Sequence, residues 1–558
     1  MSRQAVTLIG VCCLTFFAGL GRPAITDSDE AFYAEGAREM AERGDWLTPN
    51  FNYIPRFEKP PLYYWLASGL YRIAGVSEAV ARAPSALAGV GLVLLAFACA
   101  RRWYDANTGL LAGLITATSF GYIAMARQAL PDLPLAFFVT LTIWAALRAL
   151  VDQSPGDKEK PGTSRTRRSW AIIAGLAAAG AFLMKGPVGI VLPGIVIMPL
   201  LIWQDRFRGL RLRARSADLW FAAFVFLLLA IPWFAGMARA HGIEYLEQFF
   251  IGENVERFTT TRYNDIRPVW YYFPILAGGL LPWSPFMLVW IPTLWDALRT
   301  RRPLPIIEWR LAVWALAPLI FYSVSVGKQP RYILPILPPL AVLLARTIRL
   351  QLAAHSGSRH LFTACAVLAG FFLLVVGGLV YRLQALLLDW TAVAPTAVAL
   401  AIMLTGLAVA AAGIWRSTWV PGVLVTASIL STLGAYHVIL VTSGPAAVER
   451  MADMVLAARQ ADEPYGRHRA FDRNLVFYTQ REYVELPTLE AAADFLRSPQ
   501  RALCVLLAED LAALEAQGIT VRRLGEVLYL NRGNLTMRTL LYPEPKTHLQ
   551  RVLLVSND

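Results

Sequence analysis

The sequence predicts a polytopic α-helical membrane protein that ends in one small α/β domain. Three observations predict it. The 558 residues are 56% hydrophobic and only 16% charged, with a mean hydropathy of +0.47, against roughly 45–50% apolar and about 25% charged residues in ordinary soluble domains. Apolar stretches of about 16–22 residues recur through the first four fifths of the chain, close to the roughly 20 a helix needs to cross the hydrocarbon core. They are too long for barrel strands. The basic residues, finally, fall in short segments between those stretches.

With the amino terminus inside, the apolar runs read as spans at 5–21, 83–100, 108–125, 133–151, 170–184, 188–203, 219–237, 271–292, 311–326, 333–345, 361–381, 392–413 and 418–441. The basic segments 101–109 (RRWYDANTG), 157–169, 204–216, 299–303 and 346–360 then all lie on the cytoplasmic side, as the positive-inside rule requires. The net charge of +13 is therefore a topology signal, and no nucleic-acid partner is expected. Thirteen crossings place the carboxyl terminus outside. A cleaved signal peptide is the other reading of 5–21, but GLGRPAIT shows no obvious small-residue cleavage site. On either reading, residues 27–61 lie outside.

The five cysteines, Cys12, Cys13, Cys99, Cys365 and Cys504, have no C-x-x-C spacing and read as small apolar residues. From 444 to 558 the composition becomes mixed and charged. AAVERMADMVLAARQ and TLEAAADFLRS carry helical spacing, while EYVEL, ALCVLLA and GEVLYLN read as strands. With neither a phosphate loop nor a catalytic triad, this domain is expected to bind or pack, with the reaction centre elsewhere.

The outer ends of the spans hold TDSDEAFY (Asp27, Asp29, Glu30), RFEKPP (Arg56, Glu58, Lys59), ARQALPDLP (Arg127, Asp132), LMKGPVG (Lys185) and GKQPRY (Lys328, Arg331). Ionisable groups near lipid are costly and usually line a cavity or substrate path, so five such connections on one face point to a site. The first outer segment explains its own composition. SDEAFYAEGAREMAERGDW has acids early, Ser28 or Asp27 as cap and apolar residues at helical spacing. An amphipathic helix in the interface is expected, with Tyr63, Tyr64 and Trp65 as belt anchors.

The ordered motifs DSDEAFYAEGAREM, RFEKPPLYYW, MARQALPDLPLAFF, AFLMKGPVG, FFIGENVERF and GKQPRYILPILPPLA resemble the lipid A 4-amino-4-deoxy-L-arabinose transferase family, relatives of the protein O-mannosyltransferases. The resemblance covers the whole membrane domain, 1–443. It implies a GT-C fold with about thirteen transmembrane helices, two amphipathic helices in the first outer loop (about 22–82) and a periplasmic α/β domain at 444–558. It also implies an inner-membrane enzyme that takes an undecaprenyl phosphate-linked sugar and modifies lipid A. Surrounding membrane lipids are expected partners, and a monomer is the expected state.

A lipid–phosphate–sugar donor needs its anionic phosphate held, and Arg and Lys supply charge-assisted hydrogen bonds for that. Arg56, Lys59, Lys185, Arg257, Lys328 and Arg331 are the candidates, with Tyr33 and Tyr63 as further donor contacts. The resemblance makes Asp29 the central acid and Asp132 a second one. Such an acid acts as a base toward a hydroxyl or stabilises oxocarbenium-like charge. If the acceptor is a lipid A phosphate it is already an anion, and Asp29 would position the sugar. Plainer roles stay open: Asp29 as a helix cap with Asp27 or Glu30 as the active acid, Asp132 paired with Arg127, Lys185 snorkelling, and ENVERF as a helix face.

The sequence makes no cofactor certain, and a divalent metal ion is possible. Glu58 and His241 could meet as ligands of a divalent metal ion, a weak signal with only two groups and no zinc-type spacing. NDIRPVWYY has Asp265 where the family pattern suggests a histidine. The rival from another class is a secondary transporter, but no inverted repeat or paired discontinuous helix is visible. Within the enzyme class, a protein O-mannosyltransferase or another polyprenyl-phosphate-sugar transferase is the alternative. No nucleotide site is present, which fits a lipid-carried donor.

Overall fold

The computed structural model describes residues 2–150, 164–205, 217–261, 266–301, 304–353, 359–383, 386, 393–415, 417–436, 446–460, 463–530 and 537–558. Among these, eight helices are long and apolar enough to cross a membrane, and ten if each of two bent pairs counts as one span. The protein is a multi-pass membrane protein. Each of the thirteen apolar runs falls largely on helix, but two of them are not straight spans.

The run 108–125 breaks between Ala106–Thr118 and Phe120–Ala126, with a bend of 59°, and the run 271–292 breaks between Val269–Gly279 and Ser284–Thr300, with a bend of 118°. The reason is mutual. Ser119 turns its hydroxyl back to the Ile115 carbonyl, Pro282 and Pro285 interrupt the second run, and backbone groups freed in one break are met by the other. The Phe120 N–H donates to the Leu281 carbonyl at 3.0 Å, and Trp283 Nε1 donates to Thr118 Oγ1 at 2.9 Å. Non-helical backbone at membrane depth survives where protein satisfies it. Hydropathy alone does not register such a break.

At one end of the bundle two of the basic segments meet. Tyr104 donates to Glu308 at 3.1 Å, Arg346 lies over the Tyr104 ring, and Arg349 stands 3.8 Å from Asp105. Two segments expected on one side, 101–109 and 346–360, are thus packed together, with the start of the helix Ile306–Val324 beside them. The first outer loop occupies the opposite role, covering the site described below.

That loop contains the helix Asp29–Arg43, capped by Ser28, whose hydroxyl accepts from the Glu30 N–H, and stopped by Gly44 at φ 71°. A short hairpin of β1 (Asn50–Phe51) and β2 (Ile54–Pro55) follows, turned through Asn52 and Tyr53 at positive φ, then the helix Leu62–Ala74. The interfacial reading of the first helix needs correction. Glu30, Glu35, Arg38 and Glu39 are buried, and the polar face is covered by protein with its charges paired: Arg38 grips Glu35 through two donors at 2.7 and 2.8 Å. Tyr63 and Tyr64 are also wholly inside and are core residues, not belt anchors.

The segment 446–558 forms a five-stranded sheet in the order β4–β3–β5–β7–β6, from β3 (Tyr465–Arg467), β4 (Val484–Glu485), β5 (Leu503–Leu507), β6 (Arg522–Leu530) and β7 (Leu549–Ser556). β3 is parallel to β4 and β5, and β7 is antiparallel to β5 and β6. The helix Ala447–Ala458 packs on one face with Val448, Met451 and Val455, and Leu489–Leu496 and Ala508–Ala516 cover the other. β5 is central and buried throughout, which explains its unbroken apolar run LCVLL. The sheet is fastened to the first outer loop. Asp27 accepts from the N–H groups of Asp472 and Arg473 at 3.0 and 2.7 Å, and Asn474 donates to the Ile25 carbonyl at 3.0 Å.

Candidate active site

Four chain turns bring the site together. Asp29 opens the helix Asp29–Arg43 and Asp132 opens the helix Asp132–Leu150, so both carboxylates stand at helix amino termini. Lys185 closes the helix Ser164–Lys185. Each charge complements the dipole of its own helix end. Gly186, at φ 82° and with Phe249 2.7 Å from the place a Cβ would fill, allows the turn that leaves Lys185 there. Arg331 lies at the start of the tight helical segment Pro330–Ile336.

A continuous chain of ion pairs results. Arg331 Nη2 donates to Asp29 Oδ2, and its Nε lies 3.3 Å from Asp132 Oδ2. Asp132 Oδ1 in turn accepts from Lys185 Nζ at 2.5 Å, and Lys185 sits over the Tyr332 ring. A second group stands alongside: Glu253 Oε2 accepts from Lys59 Nζ at 2.9 Å and from Arg257 Nη2 at 2.8 Å. Arg257 also interacts with Tyr332. Lys59, Lys185 and Arg257, together with the carboxylates of Glu58 and Glu253, line a cleft of about 290 Å³ whose apolar lining includes Val188, Val191, Phe249 and Phe321. The cleft is amphipathic, as the head of a lipid phosphate is.

Burial opposes ionisation of Asp29, yet the guanidinium groups of Arg331, Arg473 and Arg56 hold its carboxyl below the ordinary aspartate value. Lys59 shows the reverse balance. Burial first, then the neighbouring Arg257, pushes its ammonium down to about 8 in spite of Glu253.

Other predicted residues are placed as follows. Arg56 Nη2 donates to Glu58 at 2.5 Å, and its guanidinium lies 3.4 Å over the Phe32 ring. Tyr33 is buried within electrostatic reach of Asp29, Asp132 and Arg56, a position consistent with a sugar or phosphate contact. Tyr63 is not at the site: its hydroxyl donates to the Ala81 carbonyl at 3.0 Å. Lys328 reaches the Arg267 carbonyl at 3.1 Å and the Ser325 carbonyl, so it ties chain segments together at the rim. Arg127 donates to the Thr15 and Ala18 carbonyls, while Asp132 holds Lys185 and Arg331.

The neighbours weighed against Asp29 have structural work: Asp27 seats the sheet domain, and Glu30 is locked to Arg82 at 2.7 Å. His241 Nε2 is 2.8 Å from Thr48 Oγ1 and its ring packs on Phe57, whereas Glu58 faces Arg56. Both would have to change partners to hold a metal together. Among the described residues no three His, Cys, Asp or Glu side chains gather as a metal set. Asp265 lies outside the described residues.

Sequence reasoning missed two contributors. Arg473, from the domain expected only to bind or pack, comes to 3.4 Å from Asp29 Oδ1. Nothing in its local sequence, FDRN, marks it. Glu253 was visible in ENVERF, but only the structure shows it holding Lys59 and Arg257 side by side.

The same architecture occurs in a solved structure from Cupriavidus metallidurans, ArnT bound to undecaprenyl phosphate, with TM-score 0.74, 23% identity, and coverage of 99% of this chain and 98% of that one. The oligosaccharyltransferase of Archaeoglobus fulgidus superposes with TM-score 0.52 at 13% identity, over 94% of this chain and 69% of that one. The fold is GT-C. By sequence, the undecaprenyl phosphate-α-4-amino-4-deoxy-L-arabinose arabinosyl transferase of Pseudomonas aeruginosa is 35% identical over 349 residues, 62% of this chain. The corresponding transferase 2 of Proteus mirabilis is 31% identical over 343 residues, 61% of this chain. Over these stretches the chain is similar to the aminoarabinose transferases. It spans about 60% of the length of the curated relatives it matches. The family model for dolichyl-phosphate-mannose-protein mannosyltransferase matches residues 24–241, which carry the first outer loop, Asp132 and Lys185. Over that stretch the chain is similar to the O-mannosyltransferases as well.

Proposed function

We propose that the protein is an inverting glycosyltransferase that moves 4-amino-4-deoxy-L-arabinose from undecaprenyl phosphate to a phosphate of lipid A, at the periplasmic face of the inner membrane. One observation carries the reading: Arg331 joins Asp29 to Asp132 beside a cleft lined by three cations, Lys59, Lys185 and Arg257, two carboxylates, Glu58 and Glu253, and an apolar wall. A polyprenyl phosphate would seat its charge on the three cations and its first isoprene units along Val188, Val191 and Phe321.

Transfer is then a single displacement. An oxygen of the acceptor phosphate forms a bond to the anomeric carbon as the carbon's bond to the donor phosphate breaks. The electron pair departs on the undecaprenyl phosphate oxygen, where the cations stabilise the growing charge. No proton has to move, because the acceptor oxygen is already anionic. The low pKa of Asp29 suits this route, since a carboxylate held ionised by arginines is a poor base. Its role is to hold the sugar, through the cationic amine or the oxocarbenium-like charge. A hydroxyl acceptor, as in protein O-mannosylation, would ask more basicity of Asp29 than its surroundings leave it.

A cationic sugar on lipid A lowers the negative charge of the membrane surface and weakens the binding of cationic peptides such as polymyxin. The test is lipid A mass spectrometry in a polymyxin-sensitive strain lacking its own transferase and complemented with this protein. An aminoarabinose-sized mass increment is expected. No increment from well-expressed protein would direct the search to a protein or glycan acceptor.

A further inference from the structure

The cleft that suits the donor phosphate leaves two arginines unused. Arg56 and Arg473 come from the first outer loop and from the sheet domain, and neither lines that cleft. Both guanidinium groups lie over one ring, Phe32, with centroid distances of 3.4 and 4.8 Å. Arg473 Nη1 is also 3.4 Å from Asp29 Oδ1, the oxygen other than the one that Arg331 engages. Asp29 therefore stands between Arg331, on the cleft side, and Arg473. Arg56 is partly buried: its Nη2 is held by Glu58 of the cleft wall at 2.5 Å, while its Nε and Nη1 lie inside and find no hydrogen-bond partner in the structure. Buried unpaired guanidinium donors beside a second cation are costly, and an arriving anion would relieve that cost. Paired guanidinium groups present the donors that a phosphate accepts.

We propose that Arg56 and Arg473 form a second anion seat, on the Arg473 side of Asp29, which receives the phosphate of the acceptor lipid. This rests on the transferase reading above and adds to it that the sheet domain supplies an acceptor-binding side chain. Two seats on either side of one carboxylate bring an anionic nucleophile and an anionic leaving group to the same sugar carbon without placing them on the same cations.

Docking of the sheet domain survives loss of the Arg473 side chain, because Asp27 holds the backbone N–H groups of residues 472 and 473. The experiment uses the full-length protein in nanodiscs, with undecaprenyl phosphate-aminoarabinose as donor and lipid A, intact or dephosphorylated, as acceptor. Arg473→Ala is expected to raise the KM for intact lipid A about tenfold or more, the effect of losing one hydrogen bond to a charged group, and to leave the donor KM unchanged. Arg473→Lys should recover part of the loss. Arg56→Ala should act in the same direction, whereas Lys59→Gln should raise the donor KM instead. An unchanged acceptor KM in Arg473→Ala, or a change confined to the donor, would overturn the proposal. If the wild type transfers nothing to lipid A, the transferase reading has failed, and the seat is then judged by binding alone. Intact lipid A must bind wild type more tightly than Arg473→Ala, and removal of its phosphates must abolish the difference; equal binding would overturn the seat. Inorganic phosphate added to the same assay separates a general anion site, which it would block at low concentration, from one that also needs the lipid.

Discussion

Arg82 and Glu30 form an ion pair wholly inside the protein, 2.7 Å from Nε to Oε1, one residue from the acid proposed to hold the sugar. Every other contact of the pair is also structural. Glu30 accepts from the N–H groups of Thr26 and Ala129 at 2.9 and 3.0 Å, and Arg82 donates to the carbonyls of Leu20, Pro23 and Ala24. The pair thus fixes the start of the helix Asp29–Arg43 against the helix Glu78–Trp103. Removing one member leaves a buried charge uncompensated, at about 3–5 kcal/mol. Arg82→Met is expected to lower the thermal stability of the purified protein sharply, measured as loss of monodisperse protein on heating. A variant as heat-stable as the wild type would refute this anchoring role.

Asp29→Asn keeps the size of the side chain and removes its charge. Transfer is expected to fall by about 100-fold or more, the scale seen when one preorganised electrostatic group is lost. Binding of undecaprenyl phosphate should persist, because Lys59, Lys185 and Arg257 remain. Single-turnover transfer and lipid binding, measured on the same preparation, separate the two quantities. A variant within a few fold of wild-type transfer would remove Asp29 from the chemistry.

Lys59 gives the site a pH dependence. Its ammonium is pushed down to about 8, so the charge that would hold the donor phosphate is lost as pH rises through that value. Donor affinity should weaken by up to tenfold per pH unit above about 8. Fold stability runs the other way: the depressed pKa means that buried charge carries a cost below about pH 8, relieved as pH approaches the ordinary lysine value of about 10.4. In Lys59→Arg the cation cannot titrate in this range, and donor binding should lose the pH dependence. A wild-type donor affinity that stays flat between pH 7 and 10 would contradict the assignment.

Much of the molecule was legible from residue pattern. Apolar run length gave the helices, because lipid imposes that constraint on sequence directly. The same reasoning put Asp29, Asp132, Lys185, Lys59 and Arg331 at one end, and they do meet. The breaks at Ser119 and near Pro282 were not legible, since each is stabilised by the other across 160 residues of sequence. Tyr63 was misplaced because an aromatic at a helix start has the same local signature whether it faces lipid or core. Arg473 was beyond reach for another reason: its position depends on how a separate sheet docks through Asp27.

Glu39 carries a prediction about the first outer loop. It is buried beside Glu35, which Arg38 already engages with two donors, and one of its oxygens, Oε1, has no hydrogen-bond partner while the other accepts from the Tyr53 N–H at 2.9 Å. Burial and the charge of Glu35 push its carboxyl up to about 9, against the smaller opposing effects of Tyr53 and Arg38. The folded protein therefore holds a proton on Glu39 at neutral pH that the unfolded chain releases above its ordinary value of about 4.3. With fewer protons bound in the unfolded state, stability falls as pH rises from that value toward 9. Glu39→Gln keeps an oxygen for Tyr53 and cannot ionise. Its advantage over wild type should be small at pH 5 and should grow steadily to pH 9, read as the difference between the two melting temperatures. A difference that is the same at both pH values would mean that Glu39 is ionised in the folded protein and that Arg38 serves both carboxylates.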